Sequence, residues 1–316
     1  MRSLFICLFL TAAAGWAATE PPPAKPPVSA AESDELYDLG KSMFDRSATP
    51  EIKAQYEFPS RERWNTFATR LQQALDSNKL EDLAAFEDEA KSGLTALRML
   101  PGYGDYADWL SERIDYIEAA KQAIHRPAPR PTGPRTLRGP RPLDIPYYDL
   151  WLERIRNRPQ PAQAEELMPI LRAAFKAEGV PPELAWLAEV ESTLDPAARS
   201  PAGAKGLFQF MPETAKAMGL STFLPDERAD AEKSARAAAR YLGQLHGKFG
   251  DWPLAFAAYN AGEGRVRRLL AAHSSKTFAD ISAALSSETR MYVPKVCATI
   301  AVRTGVTPGK IARPRS

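Results

Sequence analysis

Cysteine is nearly absent from the 316-residue chain, which holds only Cys7 and Cys297. Cys7 belongs to an apolar leader, so the remainder carries one thiol; an intrachain disulfide framework is excluded and Cys297 reads as a packing residue. Histidine is as sparse: His125, His246 and His273 stand far apart, without metal-ligand spacing, so neither a metal nor a cofactor is expected. There is no Gly-x-Ser-x-Gly elbow and no phosphate-cradling loop. Strictly alternating strand patterns are also missing, which predicts an all-α chain. The net charge is only +2, and no basic segment is interleaved with aromatics as a nucleic-acid binder would require.

With 44% hydrophobic residues, the chain can bury a sizeable core. Arg2, the apolar run Leu4 to Ala14 and the small-residue site Gly15-Trp16-Ala17 predict a secretory signal over residues 1–17 and a periplasmic or otherwise exported product. The run is too short to span a bilayer, and so little apolar sequence precedes Cys7 that a lipid anchor is not expected. Residues 18–31 form a tether rich in proline and alanine. Residues 32–125 read as a small helical module: Trp64, Phe67, Leu71 and Leu75 share one stripe, Leu83, Phe86, Ala90, Leu94 and Leu97 a second, and Leu110, Ile114, Ile117 and Ile124 a third. Its 19 acidic against 11 basic residues imply a solvated surface, or a docking face for a cell-wall protein partner. Residues 126–146, with Arg126, Arg130, Arg135, Arg138 and Arg141 among prolines, read as an extended linker.

Helical patterns resume over residues 147–306, followed by a short tail over residues 307–316. Pro181 and Pro182 suit the opening turn of a helix running through Ser192. At about 100° per residue, Glu191 falls between Leu184 and Leu187, beside Ala188, whereas Glu189 points elsewhere. A carboxyl on an apolar face titrates upward and can stay protonated near neutrality, the state a general acid requires; a paired structural acid is the other reading. Ser192 follows, and two glycines in Ser200 to Pro212 allow a tight loop to return toward it. Within that loop Gln209 offers a donor and an acceptor suited to sugar hydroxyls, or simply a loop-stabilising amide. Gly262 stops a helix capped by Asp251 and leaves Tyr259 and Asn260 beside a loop. A last helix reaches about Arg303, with Pro294 as its start or a kink.

Glu191-Ser192, Gly206-Leu207-Phe208-Gln209-Phe210-Met211-Pro212, Ala258-Tyr259-Asn260-Ala261-Gly262 and Glu288-Thr289-Arg290-Met291-Tyr292-Val293 occur in that order. Together they resemble the motifs of the soluble lytic transglycosylase catalytic domain, over Leu167 to about Thr304. Phe208, where methionine or tryptophan is common, and Asp195, where asparagine is often found, depart from the pattern and bear on glycan preference. The resemblance implies a lysozyme-like, all-helical domain acting on peptidoglycan glycan strands at the β-1,4 bond between N-acetylmuramic acid and N-acetylglucosamine. It implies Glu191 as acid and base, with Ser192, Gln209, Tyr259, Asn260, Glu288 and Tyr292 lining the cleft.

A glycosidase ordinarily uses two carboxyl groups. In the implied reaction one suffices, because the muramyl 6-hydroxyl attacks its own anomeric carbon and leaves a 1,6-anhydro end. Glu288 is the residue that could change this: across the cleft with room for water it would favour hydrolysis, whereas at a helix start it would only complement the dipole. A hydrolytic muramidase and a non-catalytic wall-binding scaffold therefore stay open beside the transglycosylase. The charge of about +9 over residues 126–316, from 28 basic and 19 acidic residues, suits an anionic polymer.

Overall fold

A computed structural model describes residues 60–99, 104–126, 144–200 and 203–315, with a few positions between 41 and 50. The expected signal, the tether and most of the arginine-rich linker lie outside the described residues. Those described are helical, with two isolated bridges in the loop after Glu191 as the only extended pairing among them. None of their helices is long and apolar enough to cross a membrane.

The N-terminal helices are α1 (Arg61–Asp76), α2 (Leu80–Ala84), α3 (Glu87–Met99) and α4 (Gly104–His125). Leu71, Ala74 and Leu75 of α1, Leu80 and Leu83 of α2, and Leu110, Ile114 and Ile117 of α4 meet in one apolar interior. Ile124, expected on the same stripe, is 37% exposed because α4 has run past its neighbours by its last turn. Glu87, Asp88 and Glu89 open α3, where negative charge complements the helix dipole.

Next come α5 (Tyr148–Arg156) and α6 (Ala164–Ala177), then a 3-10 turn (Pro182–Trp186) leading into α7 (Leu187–Ser192). The single helix expected after Pro181 is thus a tight turn followed by a short α-helix. Then follow α8 (Pro212–Ala217), α9 (Ala231–Phe249), α10 (Trp252–Ala261), α11 (Glu263–Ala272), α12 (Phe278–Ile281) and α13 (Ser287–Thr304). As anticipated, Asp251 caps α10, accepting from the Leu254 amide at 3.2 Å.

The hub is α13. Every residue from Met291 to Ile300 is buried, Cys297 among them, because α5, α7, α10, α4 and α1 all pack around it. Such a helix needs no polar face. It starts at Ser287, with the Ser286 hydroxyl accepting from Thr289 N, and Pro294 sits inside it rather than at its start. The apolar packing around α13 has to outweigh the backbone hydrogen bond that Pro294 cannot donate.

The N-terminal helices also dock on this hub. Ser287 N donates to Ser77 O at 2.6 Å, and Arg290 Nη1 donates to Asn78 O at 3.4 Å. At the centre of the contact Asp115 of α4 receives Lys295 Nζ at 3.0 Å, Arg154 at 2.8 Å and Arg158 at 2.5 Å. Lys295 lies 4.6 Å from the Tyr116 ring centroid and 5.4 Å from that of Trp151, and those two rings meet edge to face. Part of the acidic excess is therefore spent on an internal contact rather than on a solvated face.

Burial alone would raise the Asp115 carboxyl, but Lys295, Arg158 and Arg154 hold it well below the usual carboxylate range. A folded-state value depressed in this way stabilises the fold above the unfolded value of about 4 and is lost as the pH falls below it. Asp115→Ala strands the Lys295 ammonium in a buried position and is expected to cost about 3 kcal/mol in urea denaturation at pH 7. The same substitution should flatten the acid side of the stability profile.

Candidate active site

Helix α7 contains two glutamates with opposite fates. Glu189 faces away from the core and accepts a fork from Arg303, with Nη2 to Oε1 at 2.6 Å and Nε to Oε2 at 2.8 Å. Glu191, two residues later, is carried by the register of Leu184, Leu187 and Ala188, all fully buried, into the interior side of the turn. There it is half-buried at the wall of a cavity of about 370 Å³. Burial pushes its carboxyl up to about 7. The Tyr292 hydroxyl, from α13, hydrogen-bonds Glu191 Oε1 and opposes that rise, whereas the charges of Glu112 and Glu288 reinforce it.

The loop from Thr193 to Met211 supplies the facing wall. Thr193 and Leu194 leave α7 in the left-handed region, which turns the chain back on itself. Buried Arg228 then pins the loop, donating to Gly203 O at 2.8 Å and Phe210 O at 3.1 Å while Asp226 holds its other side. Gly206 has φ +79°, and a Cβ there would collide with the Arg228 carbonyl oxygen. The motif glycine is thus required by both conformation and close approach.

Ser192 and Gln209 line the cavity with Glu191, as the sequence suggested, but their polar groups are partly engaged. Ser192 Oγ hydrogen-bonds Ala188 O at 3.1 Å and Leu207 O at 3.0 Å, stitching α7 to the loop. Gln209 Nε2 donates to Gly206 O at 3.0 Å and Ala198 O at 3.3 Å, so its amide also braces the loop. Behind this layer the Tyr259 hydroxyl donates to Phe208 O at 2.8 Å. Burial keeps the Tyr259 and Tyr292 phenols well above their ordinary range, hence protonated donors.

Asn260 and Glu288, both expected along the cleft, do not border this cavity. Asn260 Oδ1 accepts from Thr289 Oγ1 at 2.7 Å and ties α10 to the start of α13. Glu288 sits in the first turn of α13 with Arg113 Nη2 at 3.6 Å, so it faces α4 rather than an open space for water.

Apart from Gln163, the remaining wall comes from a segment that the motifs did not indicate. Asp108, Trp109, Ser111 and Glu112 of α4 border the same cavity as Glu191. Their periodicity was available: Asp108, Trp109, Glu112, Asp115 and Tyr116 recur at i, i+1, i+4, i+7 and i+8, a second stripe beside Leu110, Ile114 and Ile117. A mostly polar stripe reads as solvated until its partner surface is known.

The family model described as Transglycosylase SLT domain matches residues 168–282. Membrane-bound lytic murein transglycosylase D of Escherichia coli (strain K12) is 39% identical over 140 residues, 43% of this chain and 31% of that protein. Soluble lytic murein transglycosylase of the same strain is 36% identical over 120 residues, 35% of this chain and 19% of that one. Peptidoglycan transglycosylase gp16 of Escherichia phage T7 is 43% identical over 121 residues, 36% of this chain and 9% of that one. The chain therefore spans a third or less of the length of these relatives. Among solved structures, the 70 kDa soluble lytic transglycosylase from Escherichia coli is similar at a TM-score of 0.42 and 19% identity, over 89% of this chain and 58% of that one.

Gly206→Ala is expected to destabilise the fold by at least about 2 kcal/mol, since the new methyl meets backbone that cannot yield. Thermal denaturation of the variant against the parent measures the effect.

Proposed function

We propose, from the match of residues 168–282 to the family model described as Transglycosylase SLT domain, that the chain is a lytic transglycosylase cleaving the β-1,4 bond between N-acetylmuramic acid and N-acetylglucosamine in peptidoglycan. The observation that carries this reading is the Glu191 carboxyl, half-buried at a cavity wall, pushed up to about 7 and held by the Tyr292 hydroxyl. Relatives named for murein or peptidoglycan transglycosylation support it.

Protonated Glu191 gives its proton to the glycosidic oxygen as the bond to the muramyl anomeric carbon breaks. The carboxylate left behind takes the proton of the muramyl 6-hydroxyl, whose oxygen bonds to that carbon and closes the 1,6-anhydro ring. One carboxyl thus donates and recovers one proton, and no water is consumed. Attack within the same sugar gains effective concentration. Tyr292 fixes the direction of the acid, while Ser192, Gln209 and Tyr259 keep the loop and α10 in register around it. Asn260 and Glu288 act from behind, at the start of α13.

Delivery through a leader over residues 1–17 would bring the chain to the periplasm or another exported location, where its substrate lies. The basic excess over residues 126–316 suits an anionic wall polymer. A cell-wall protein partner for the acidic helices remains part of this reading. Glu112 in the same cavity favours one second reading, hydrolysis, in which another carboxyl activates water.

Mass spectrometry of digested peptidoglycan tests the reading. Anhydromuramyl ends are expected, reducing ends would turn it to hydrolysis, and intact glycan would leave a binding scaffold. Glu191→Gln should cut turnover by about 10³-fold while glycan binding persists. Turnover of the parent should decline as pH rises through about 7, where the acid loses its proton. Tyr292→Phe removes a donor that favours the carboxylate, so it should move that decline to higher pH and lower turnover about tenfold at pH 6 through loss of orientation.

A further inference from the structure

Helix α4 belongs to a part of the chain that neither the family match nor the motifs reach, yet it borders the cavity that holds Glu191. One face of it does two jobs. Asp115 and Tyr116 anchor it to Lys295, Arg154, Arg158 and Trp151 of the C-terminal helices. One turn earlier, Asp108, Trp109 and Glu112 front the cavity. Arg113 reinforces the junction: its guanidinium lies 4.9 Å from the Trp109 ring centroid, 2.9 Å from Glu112 and 3.6 Å from Glu288. The anchor at Asp115 holds α4 against the C-terminal helices, and the Arg113 ion pair holds the Glu112 carboxylate beside the cavity.

Resting on the assignment of Glu191 as the acid, we propose that α4 completes the active site and that Glu112 is a positioning residue, a second carboxyl that acts on Glu191 across their shared cavity. Two carboxyls enclosed together cannot both ionise cheaply, so the negative charge of Glu112 favours the protonated form of Glu191. The surroundings agree. Glu112 faces Arg113 and Asp108 on its own helix and Lys295 on α13, and burial outweighs both cations and pushes it up to about 7. Glu191 faces Glu112, Arg113 and Tyr116 on α4, Glu288 and Tyr292 on α13, and Tyr259 on α10. Of these, Glu112 and Glu288 are the anions; Arg113 is a counter-ion to both, at 2.9 Å from Glu112 and 3.6 Å from Glu288, and of the two only Glu112 shares the cavity with Glu191. An acid that must remain protonated near neutrality is thereby assisted by residues outside the recognised domain. The acidic helices are part of the reaction chamber.

The test uses the full chain labelled with 13C at the glutamate carboxyl carbons, titrated by NMR. In Glu112→Gln the Glu191 midpoint is expected to move to lower pH by at least about half a pH unit. In Glu191→Gln the Glu112 midpoint should move in the same direction. A folded variant in which the partner's midpoint does not move overturns the proposal, and if Glu112→Gln fails to fold, the reciprocal variant supplies the same reading. Activity provides a separate arm: with Glu112→Gln, the decline of kcat/KM for anhydromuramyl product should shift to lower pH by the same amount. Coupled midpoints in a protein that cleaves nothing would sink the proposed function while leaving the coupling. Turnover with independent midpoints would sink the coupling alone. Reducing ends released by the parent and lost in Glu112→Gln would make Glu112 the base for water and overturn its positioning role.

Discussion

The arrangement depends on withholding water from one carboxyl. An ionised carboxylate away from solvent is costly, and the chain makes that cost a property of Glu191 by mounting it on the apolar register of Leu184, Leu187 and Ala188. The Tyr292 hydroxyl limits the penalty without cancelling it, since a neutral donor steadies the charge less than a cation would. The contrast with Glu189, which meets the full fork of Arg303, illustrates how two identical side chains diverge when one is given a counter-ion and the other is not.

Holding that carboxyl still requires a rigid frame, and α13 provides it. A helix buried along almost its whole length has little freedom to tilt, so the Tyr292 hydroxyl is aimed by packing rather than by a chain of polar contacts. The loop opposite is fixed by different means. Its turns in the left-handed region, the close approach at Gly206 and the Arg228 hydrogen bonds to its carbonyls replace the regular ladder that a sheet would have supplied.

Much of this was legible in the sequence. The all-helical character, the apolar register of Glu191, the cap at Asp251 and the need for a glycine in the return loop follow from periodicity and local sterics. What the side chains of Ser192, Gln209 and Asn260 would bond to was not legible, because their partners are backbone and hydroxyl groups brought near only by the tertiary fold. The role of α4 was hidden for another reason. Local patterning gives the apolar stripe of Leu110, Ile114 and Ile117, but whether Asp115 meets water or Lys295 depends on docking between segments remote in the chain. Of the two places open to Pro294, the start of the last helix or its interior, the fold takes the interior, and periodicity alone could not choose between them.

The capping of α13 by the carbonyl of Ser77 bears on where the working unit begins and ends. The stretch recognised by family, residues 168–282, stops short of α13, which bears Glu288 and Tyr292. A fragment trimmed to those limits would keep Glu191 and discard the Tyr292 phenol that hydrogen-bonds it. One extended through Thr304 but lacking the earlier helices would lose the backbone partner of Ser287 N and uncover the flank that α4 and α1 protect. The packed frame around Glu191 is therefore larger than the stretch that the family model matches.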